Sequence, residues 1–478
     1  MNRITVTRRN NQPTINKNIY GHFSEHLGRC IYEGIFVGKD SDIPNIDGIR
    51  KDVVEALKNL NIPVLRWPGG CFADEYHWRD GVGEKRRRMV NTNWGGIVED
   101  NSFGTHEFME LCSLLGCEPY VNANVGSGTV REMAEWVEYL NSDSDSDTVQ
   151  ERWRNGSKEP FNVKFWGIGN ENWGGGGNMR PEYYADVYRQ FQTFCRTYGE
   201  NKLHRIACGA NGDDLNWTEV LMKNAAPFMD GLSLHYYTVP KTWEDKGSSI
   251  DFDNDLYLET LRKAAFIDRL IEQHSAIMDK YDPEKRVDLI VDEWGCWHNV
   301  MEGTNPGFLY QQNTIRDAMV AAISLNIFNK HCDRVRMANI AQMVNVLQAV
   351  ILTDKEKMIL TPTYHVFDLY KPHMGAKLLD CAVECPEIDG LATLNASVSE
   401  KDGEITLTLA NVDKATSVKL FGIEAKEYTA RIISGEPTDY NTFEEPEKIA
   451  PKAFEGVTLT ENGAEIEIPA HSILAVTF

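Results

Sequence analysis

Val163-Lys164-Phe165-Trp166-Gly167-Ile168-Gly169-Asn170-Glu171-Asn172-Trp173 is a short apolar run that stops on a carboxylate. Its length suits one strand buried on both faces, and the polar residues after it suit the loop at that strand's end. Leu289-Ile290-Val291-Asp292-Glu293-Trp294-Gly295 has the same form. The two Glu are 293 − 171 = 122 residues apart, close to three strand–helix units in a chain of this kind. Six further short runs complete a set of eight: 19–23, 64–67, 120–123, 206–208, 232–235 and 335–338. Helical patterns fill several gaps, at 52–60 (Val53, Ala56, Leu57 and Leu60 on one face), 183–196 and 256–278. This alternation predicts an α/β chain with a (β/α)8 TIM barrel over residues 19–372.

Beyond Tyr370-Lys371-Pro372-His373 the period changes to two, as in Ile405-Thr406-Leu407-Thr408-Leu409 and Ala464-Glu465-Ile466-Glu467-Ile468. Such strands, spaced by Gly, Asn and Asp turns, predict an antiparallel β-sandwich over residues 373–478. Ile4-Thr5-Val6 alternates too, so residues 1–18 are expected to add a strand to that sandwich. Asn141 to Asp147 reads as a surface loop and Gly174 to Gly177 as a flexible one.

Composition narrows the function. The chain has 478 residues, and 49 Lys and Arg against 71 Asp and Glu give a net charge of −22. That balance argues against a nucleic-acid partner, which needs concentrated positive charge. The basic cluster Lys85-Arg86-Arg87-Arg88 reads as a solvated loop. The longest apolar stretch, Ala318 to Phe328, is broken by Ser324 and Asn326 and is far shorter than the ~20 residues a bilayer span requires, so no membrane partner is expected. Met1-Asn2-Arg3-Ile4-Thr5 has no apolar leader region, and the ten Cys are scattered without a CxxC pair; both suit a cytoplasmic protein with reduced thiols. Eleven Trp and eighteen Tyr provide rings suited to sugar faces.

Barrel enzymes build their sites where strands end. Two Glu at such ends, flanked by Asn and Trp, are the equipment of glycoside hydrolysis: one protonated to serve the leaving oxygen, one ionised to attack or to activate water. The bland alternative pairs each Glu with a surface cation, and one Glu alone would favour it. Neighbouring strand ends add Glu25, Arg66 (suited to a bidentate hold on a carboxylate), His235, Tyr237 and Gln342. His22-Phe23-Ser24-Glu25-His26 matches the H-x-x-E-H zinc pattern. That pattern needs a long helix, whereas here it follows a strand-like run and meets Gly28, so no metal is expected.

Taken in order, Gly21-His22-Phe23-Ser24-Glu25-His26-Leu27-Gly28-Arg29, Arg66-Trp67-Pro68-Gly69-Gly70, Gly169-Asn170-Glu171, Ser233-Leu234-His235-Tyr236-Tyr237 and Asp292-Glu293-Trp294 resemble the α-L-arabinofuranosidases of glycoside hydrolase family 51. The resemblance implies a retaining, exo-acting hydrolase with a TIM barrel and a jelly-roll-like sandwich, a homohexamer that needs no cofactor. It implies Glu171 as general acid/base and Glu293 as nucleophile, with carboxyl groups about 5–5.5 Å apart. Asn170 is expected at the sugar 2-hydroxyl, Glu25 at the outer hydroxyls, and Arg66 and Tyr237 as orienters of Glu293. Trp94, Gln342, Cys71 and His235 complete the expected substrate-binding set. Cys71 departs from the Asn found after Pro-Gly-Gly in many members. The partner is an arabinofuranosyl-containing oligo- or polysaccharide, with linkage preference set by the loops 89–100 and 297–306. The rival readings are an endo-acting xylanase or glucanase and a non-catalytic sugar-binding barrel.

Overall fold

A computed structural model describes residues 2–478; Met1, the first residue of the expected N-terminal segment, lies outside them. Eight parallel strands close into a barrel: Gly21–Phe23, Val64–Trp67, Glu118–Ala123, Phe165–Ile168, His204–Asn211, Gly231–Thr238, Asp288–Cys296 and Val335–Ala341. Each expected run supplies one strand. The first is shorter than expected, because Ile19 and Tyr20 belong to a 3₁₀ turn (Lys17–Tyr20) capped by the Asn16 side chain. Val64, Tyr120, Phe165, Ile206, Ile290 and Met337 pack together as one buried cluster of inward strand residues, so the barrel is a filled core.

A twisted set of ten strands forms the second unit. Asn2–Thr7 pairs antiparallel with Lys377–Glu384 and parallel with Thr416–Phe421, so the first and last parts of the chain share a sheet. The strand Lys377–Glu384 belongs to both layers: Asp380–Glu384 pairs with the N-terminal strand, and Lys377–Leu379 pairs with Leu394–Lys401. Switching sheets in this way turns a corner. Ile4, Val6, Val398, Leu407, Leu409, Val418, Leu420, Ile466, Leu474 and Val476 fill the space between the layers.

Two expectations change in three dimensions. Gly463–Ile468 alternates between buried and exposed residues after Ala464, but Glu404–Asn411 is buried on both faces after its first residue. Its second face meets helix Ile315–Lys330, where the Thr408 hydroxyl donates to Asn326 Oδ1 at 2.8 Å. That helix contains the apolar stretch 318–328 and is buried all round, save Lys330, because it lies between barrel and sandwich. No helix among the described residues is long and apolar enough to cross a membrane. The basic cluster is also less free than expected. Arg86 reaches the Glu107 carboxylate at 2.8 Å and the carbonyls of Gly81, Gly83 and Asn101, which ties its loop to the barrel wall.

Candidate active site

Strand ends bring the expected acids together. The chain turns sharply after the fourth strand, and Glu171 sits there with a left-handed φ of 44°, a conformation an L-residue adopts at a cost of about 1–3 kcal/mol. The glycine run that follows is not a loose loop. Gly174 and Gly176 donate backbone N–H to the Glu171 carbonyl at 2.7 and 3.1 Å, and a Cβ on Gly176 would lie 2.0 Å from the Asn170 carbonyl. Gly70 is constrained in the same way, since its Cβ would stand 2.6 Å from Glu293 Oε1.

Glu293, on the seventh strand, is held on both oxygens. Arg66 Nη1 donates to Oε1 at 2.9 Å, and the Tyr237 hydroxyl donates to Oε2 at 2.7 Å. The second Arg66 amine donates to Asn170 Oδ1 at 2.7 Å, so the guanidinium spans strands four and seven rather than clasping one carboxylate with both arms. Burial would push Arg66 down, but Asp292 and Glu293 outweigh it and keep the guanidinium charged. Asp292, beside Glu293 in sequence at an irregularity of the strand, faces the same Arg66 and His235. Its Oδ2 accepts from the Tyr120 hydroxyl at 2.7 Å, and its Oδ1 lies 3.1 Å from His235 Nε2. Burial alone would raise Asp292, yet Arg66 and His235 hold it below the usual carboxylate range.

His235 stands between the acids. Its Nδ1 lies 2.8 Å from Glu171 Oε1 and 3.6 Å from Glu293 Oε2. Glu171, His235 and Glu293 each offer an atom within 4.8 Å of the others, so the two carboxylates face each other closely. Burial raises Glu171 most, and the charge of Glu293 raises it further, against the lowering effect of His235. Glu25 is pushed up to about 7 by burial and then by Glu293. Its Oε1 accepts from the Gly70 and Phe72 amides and from Trp94 Nε1 at 3.0, 3.0 and 3.1 Å. Its Oε2 accepts from Gln342 Nε2 at 3.0 Å.

Glu171 and Glu293 open onto one cavity. Of the expected residues, Glu25, Cys71, Trp94, Tyr237 and Gln342 also line it; Arg66, Asn170 and His235 stand behind the lining. His235 has a carboxylate oxygen 2.8 Å from one ring nitrogen and another 3.1 Å from the other. Asn170 Nδ2 is buried without a partner, and Cys71 Sγ lies 3.9 Å from Glu171 Oε2, its thiol held neutral by burial and by Glu171. A larger groove of about 2090 Å³ between barrel and sandwich has no facing pair of buried carboxylates.

Sequence reading missed Asp74, Tyr120 and Asp292 as supports. Asp74 accepts from the amides of Val125, Gly126 and Asn170 at 2.8, 2.7 and 3.2 Å and so fixes the turn before Glu171. Its only signal in the sequence was its place four residues after Gly70. The walls Leu27, Trp297, Leu309 and Leu347 were also missed as individual residues, though Trp297 begins one of the loops expected to tune linkage.

Three clusters have metal-like spacing; in the surface group Asp268, Glu272 and His331, the Lys330 ammonium already lies 2.8 Å from Asp268. In Glu171, His235 and Glu293 the ring nitrogens already face carboxylates. In Cys296, His298 and Asp317, His298 Nε2 lies 2.7 Å from Asp317 Oδ1, with the Arg316 guanidinium 3.0 Å from the same nitrogen. A cation there would meet Arg316. The H-x-x-E-H histidines do not converge: His22 packs tilted against Phe367 at 4.7 Å and burial pushes it down to about 3, while His26 stacks on Phe72 at 4.7 Å. All ten cysteines are free.

Comparison with known proteins agrees with this geometry. Residues 56–255 match the family described as the alpha-L-arabinofuranosidase 1 domain, and residues 292–472 match the alpha-L-arabinofuranosidase C-terminal domain. An intracellular exo-alpha-L-arabinofuranosidase of Bacteroides ovatus is 50% identical, over 99% of this chain and 95% of the relative. The crystal structure of a GH51 arabinofuranosidase from Xanthomonas axonopodis pv. citri superposes with a TM-score of 0.97 at 48% identity, covering 100% of both chains. An arabinose complex of the Thermotoga maritima alpha-L-arabinofuranosidase gives a TM-score of 0.88 at 31% identity, again covering 100% of both. With its domain matches, a full-length relative and a barrel-plus-sandwich fold in common, the chain belongs to the α-L-arabinofuranosidases of glycoside hydrolase family 51.

Proposed function

We propose that this chain releases terminal non-reducing α-L-arabinofuranosyl residues from arabinan, arabinoxylan or their oligosaccharides by double displacement. Glu293 attacks the anomeric carbon while Glu171 gives its proton to the departing oxygen; Glu171 then deprotonates the water that frees arabinose. The observation that carries this reading is the approach of the two carboxylates to within 4.8 Å across one cavity. That approach accords with the retaining separation of about 5–5.5 Å rather than the inverting one of about 6.5–9.5 Å. The environments differ in the sense required. Arg66 and Tyr237 bond both oxygens of Glu293, whereas burial favours a protonated Glu171.

Glu25, Gln342 and Trp94 form one bonded group at the cavity wall, suited to fix the outer hydroxyls of a single furanose. The unpartnered Asn170 amide is the donor assigned to the 2-hydroxyl. A cavity walled by Trp94, Trp297, Leu309 and Leu347 favours removal of end residues over cleavage within a backbone. Action inside the cell follows the Bacteroides ovatus relative, whose name describes it as intracellular. A homohexamer rests on family resemblance and is checked by light scattering.

The test is a panel of 4-nitrophenyl furanosides and pyranosides, with the anomer of the first-formed sugar followed by proton NMR. Turnover of the α-L-arabinofuranoside with retained configuration is expected. Inversion would overturn the roles of Glu171 and Glu293, and rapid shortening of linear xylan would favour the endo-acting reading.

A further inference from the structure

His235 is buried, and it touches more of the acidic machinery than any other side chain. Its Nδ1 lies 2.8 Å from Glu171 Oε1 and 3.6 Å from Glu293 Oε2, and its Nε2 lies 3.1 Å from Asp292 Oδ1. A neutral imidazole has one donor and one acceptor nitrogen, so a ring with a carboxylate at each nitrogen is best satisfied with both protonated. Beyond these three acids, the facing groups are Arg66 (on Asp292 and Glu293), Tyr120 (on Asp292) and Tyr237 (on Glu293). Cys71 stands on the far oxygen of Glu171.

We propose that His235, kept as an imidazolium by Asp292, is the fixed counter-charge of the reaction, facing ionised Glu293 in the first step and ionised Glu171 in the second. The proton balance supports this. In the first step the Glu171 proton goes to the leaving oxygen while a Glu293 oxygen becomes an ester. Negative charge thereby leaves Glu293 and appears on Glu171, the other acid that faces the same ring nitrogen, while Asp292 stays at the opposite nitrogen. In the second step water gives its proton to Glu171, its oxygen bonds the anomeric carbon, and the ester breaks to restore ionised Glu293. His235 gains and loses no proton in either step. Because its N–H engages Oε1 of Glu171, Oε2 is the oxygen left to carry and deliver the transferable proton. His235 and Asp292 are thus positioning residues, and the three nearby acids raise the imidazole to about 10 against the effect of burial.

This inference rests on the reading of Glu171 as acid/base, and its test separates the two. The pH dependence of kcat/KM for 4-nitrophenyl α-L-arabinofuranoside is measured for His235→Gln, Asp292→Asn and Glu171→Ala. An opposite charge within about 4–6 Å lowers an acid by 1–3 pH units, so His235→Gln is expected to move both limbs to higher pH by about that much. Below neutral pH its kcat is expected to fall more than tenfold, because the second step needs ionised Glu171. Asp292→Asn keeps the imidazole but removes the acid that holds its charge; its loss is expected to be small at pH 5 and to grow as the pH rises. Limb positions do not depend on the folded fraction, so a poorly folding variant still reports. Unmoved limbs in His235→Gln, or a pH-independent loss in Asp292→Asn, overturn the proposal. A Glu171→Ala variant that retains the wild-type basic limb overturns the acid/base reading itself.

Discussion

Two buried His–carboxylate–Arg clusters stand on neighbouring parts of the barrel, and only one opens to a cavity. The first is His235 with Glu171, Asp292, Glu293 and Arg66; the second is His298 with Asp317 and Arg316. Their residue types are nearly the same, yet their histidines are driven in opposite directions. His235 faces three acids and is raised to about 10. His298 faces one acid and has the Arg316 guanidinium beside it, so burial and that charge lower it. Arg316 also donates to the carbonyls of Ser248 and Ser249 and lies 3.7 Å from the Phe252 ring centre. The second cluster thus joins the helix that begins at Ile315 to loops beside the cavity, while the first leaves two carboxylates free to meet a ligand. Net neighbouring charge and access, rather than composition, separate chemistry from scaffolding.

Substitutions on the two sides should diverge. The largest effect is expected from Glu293→Ala, which removes the proposed nucleophile and should lower kcat by about 10⁴-fold or more on every substrate, read by steady-state rates. Glu171→Ala should cost about 10²–10⁴-fold on natural oligosaccharides and far less on aryl glycosides with good leaving groups. Equal losses on both substrates would erase the distinction between the two acids. On the scaffolding side, Asp317→Ala unpairs His298 and removes the acceptor of the Thr314 amide, which donates to Asp317 Oδ2 at 2.7 Å. A stability loss of about 3–5 kcal/mol is expected in denaturant unfolding, with the pH limbs of kcat/KM unmoved. A shift of those limbs would mean that the second cluster acts on the chemistry.

The smallest effect is the most direct comparison. Imidazole NMR at pH 7 should find His235 charged and His298 neutral. The linked stabilities then have opposite signs. The His235 contribution is full below the unfolded histidine value of about 6.5 and is lost as pH rises through about 10. The His298 contribution is full above that unfolded value and is lost as pH falls below it, because the unfolded chain then binds the extra proton. Like charge states for the two rings would break the comparison.

Much of the barrel was legible because its signal is local. Short apolar runs at regular intervals name the strands, and a strand's last residues are where a barrel puts its chemistry, so Glu171 and Glu293 stood out together. Alternation misled where a second layer covered the outer face, as at Thr406 and Thr408, and the glycine run after Trp173 looked loose although Asn170 and Asp74 crowd it. Asp74, Tyr120 and Asp292 carry no pattern of their own, since a support acts through partners that lie 51, 172 and 57 positions away.

By itself the sequence determined the order and kind of the elements and which carboxylates end strands, because those depend on side-chain periodicity within a few residues. Only the tertiary structure decided which histidine carries charge, which acid keeps its proton and which cluster is open. Those properties are sums of Coulomb and desolvation effects over groups that chain folding brings within a few ångströms of one another.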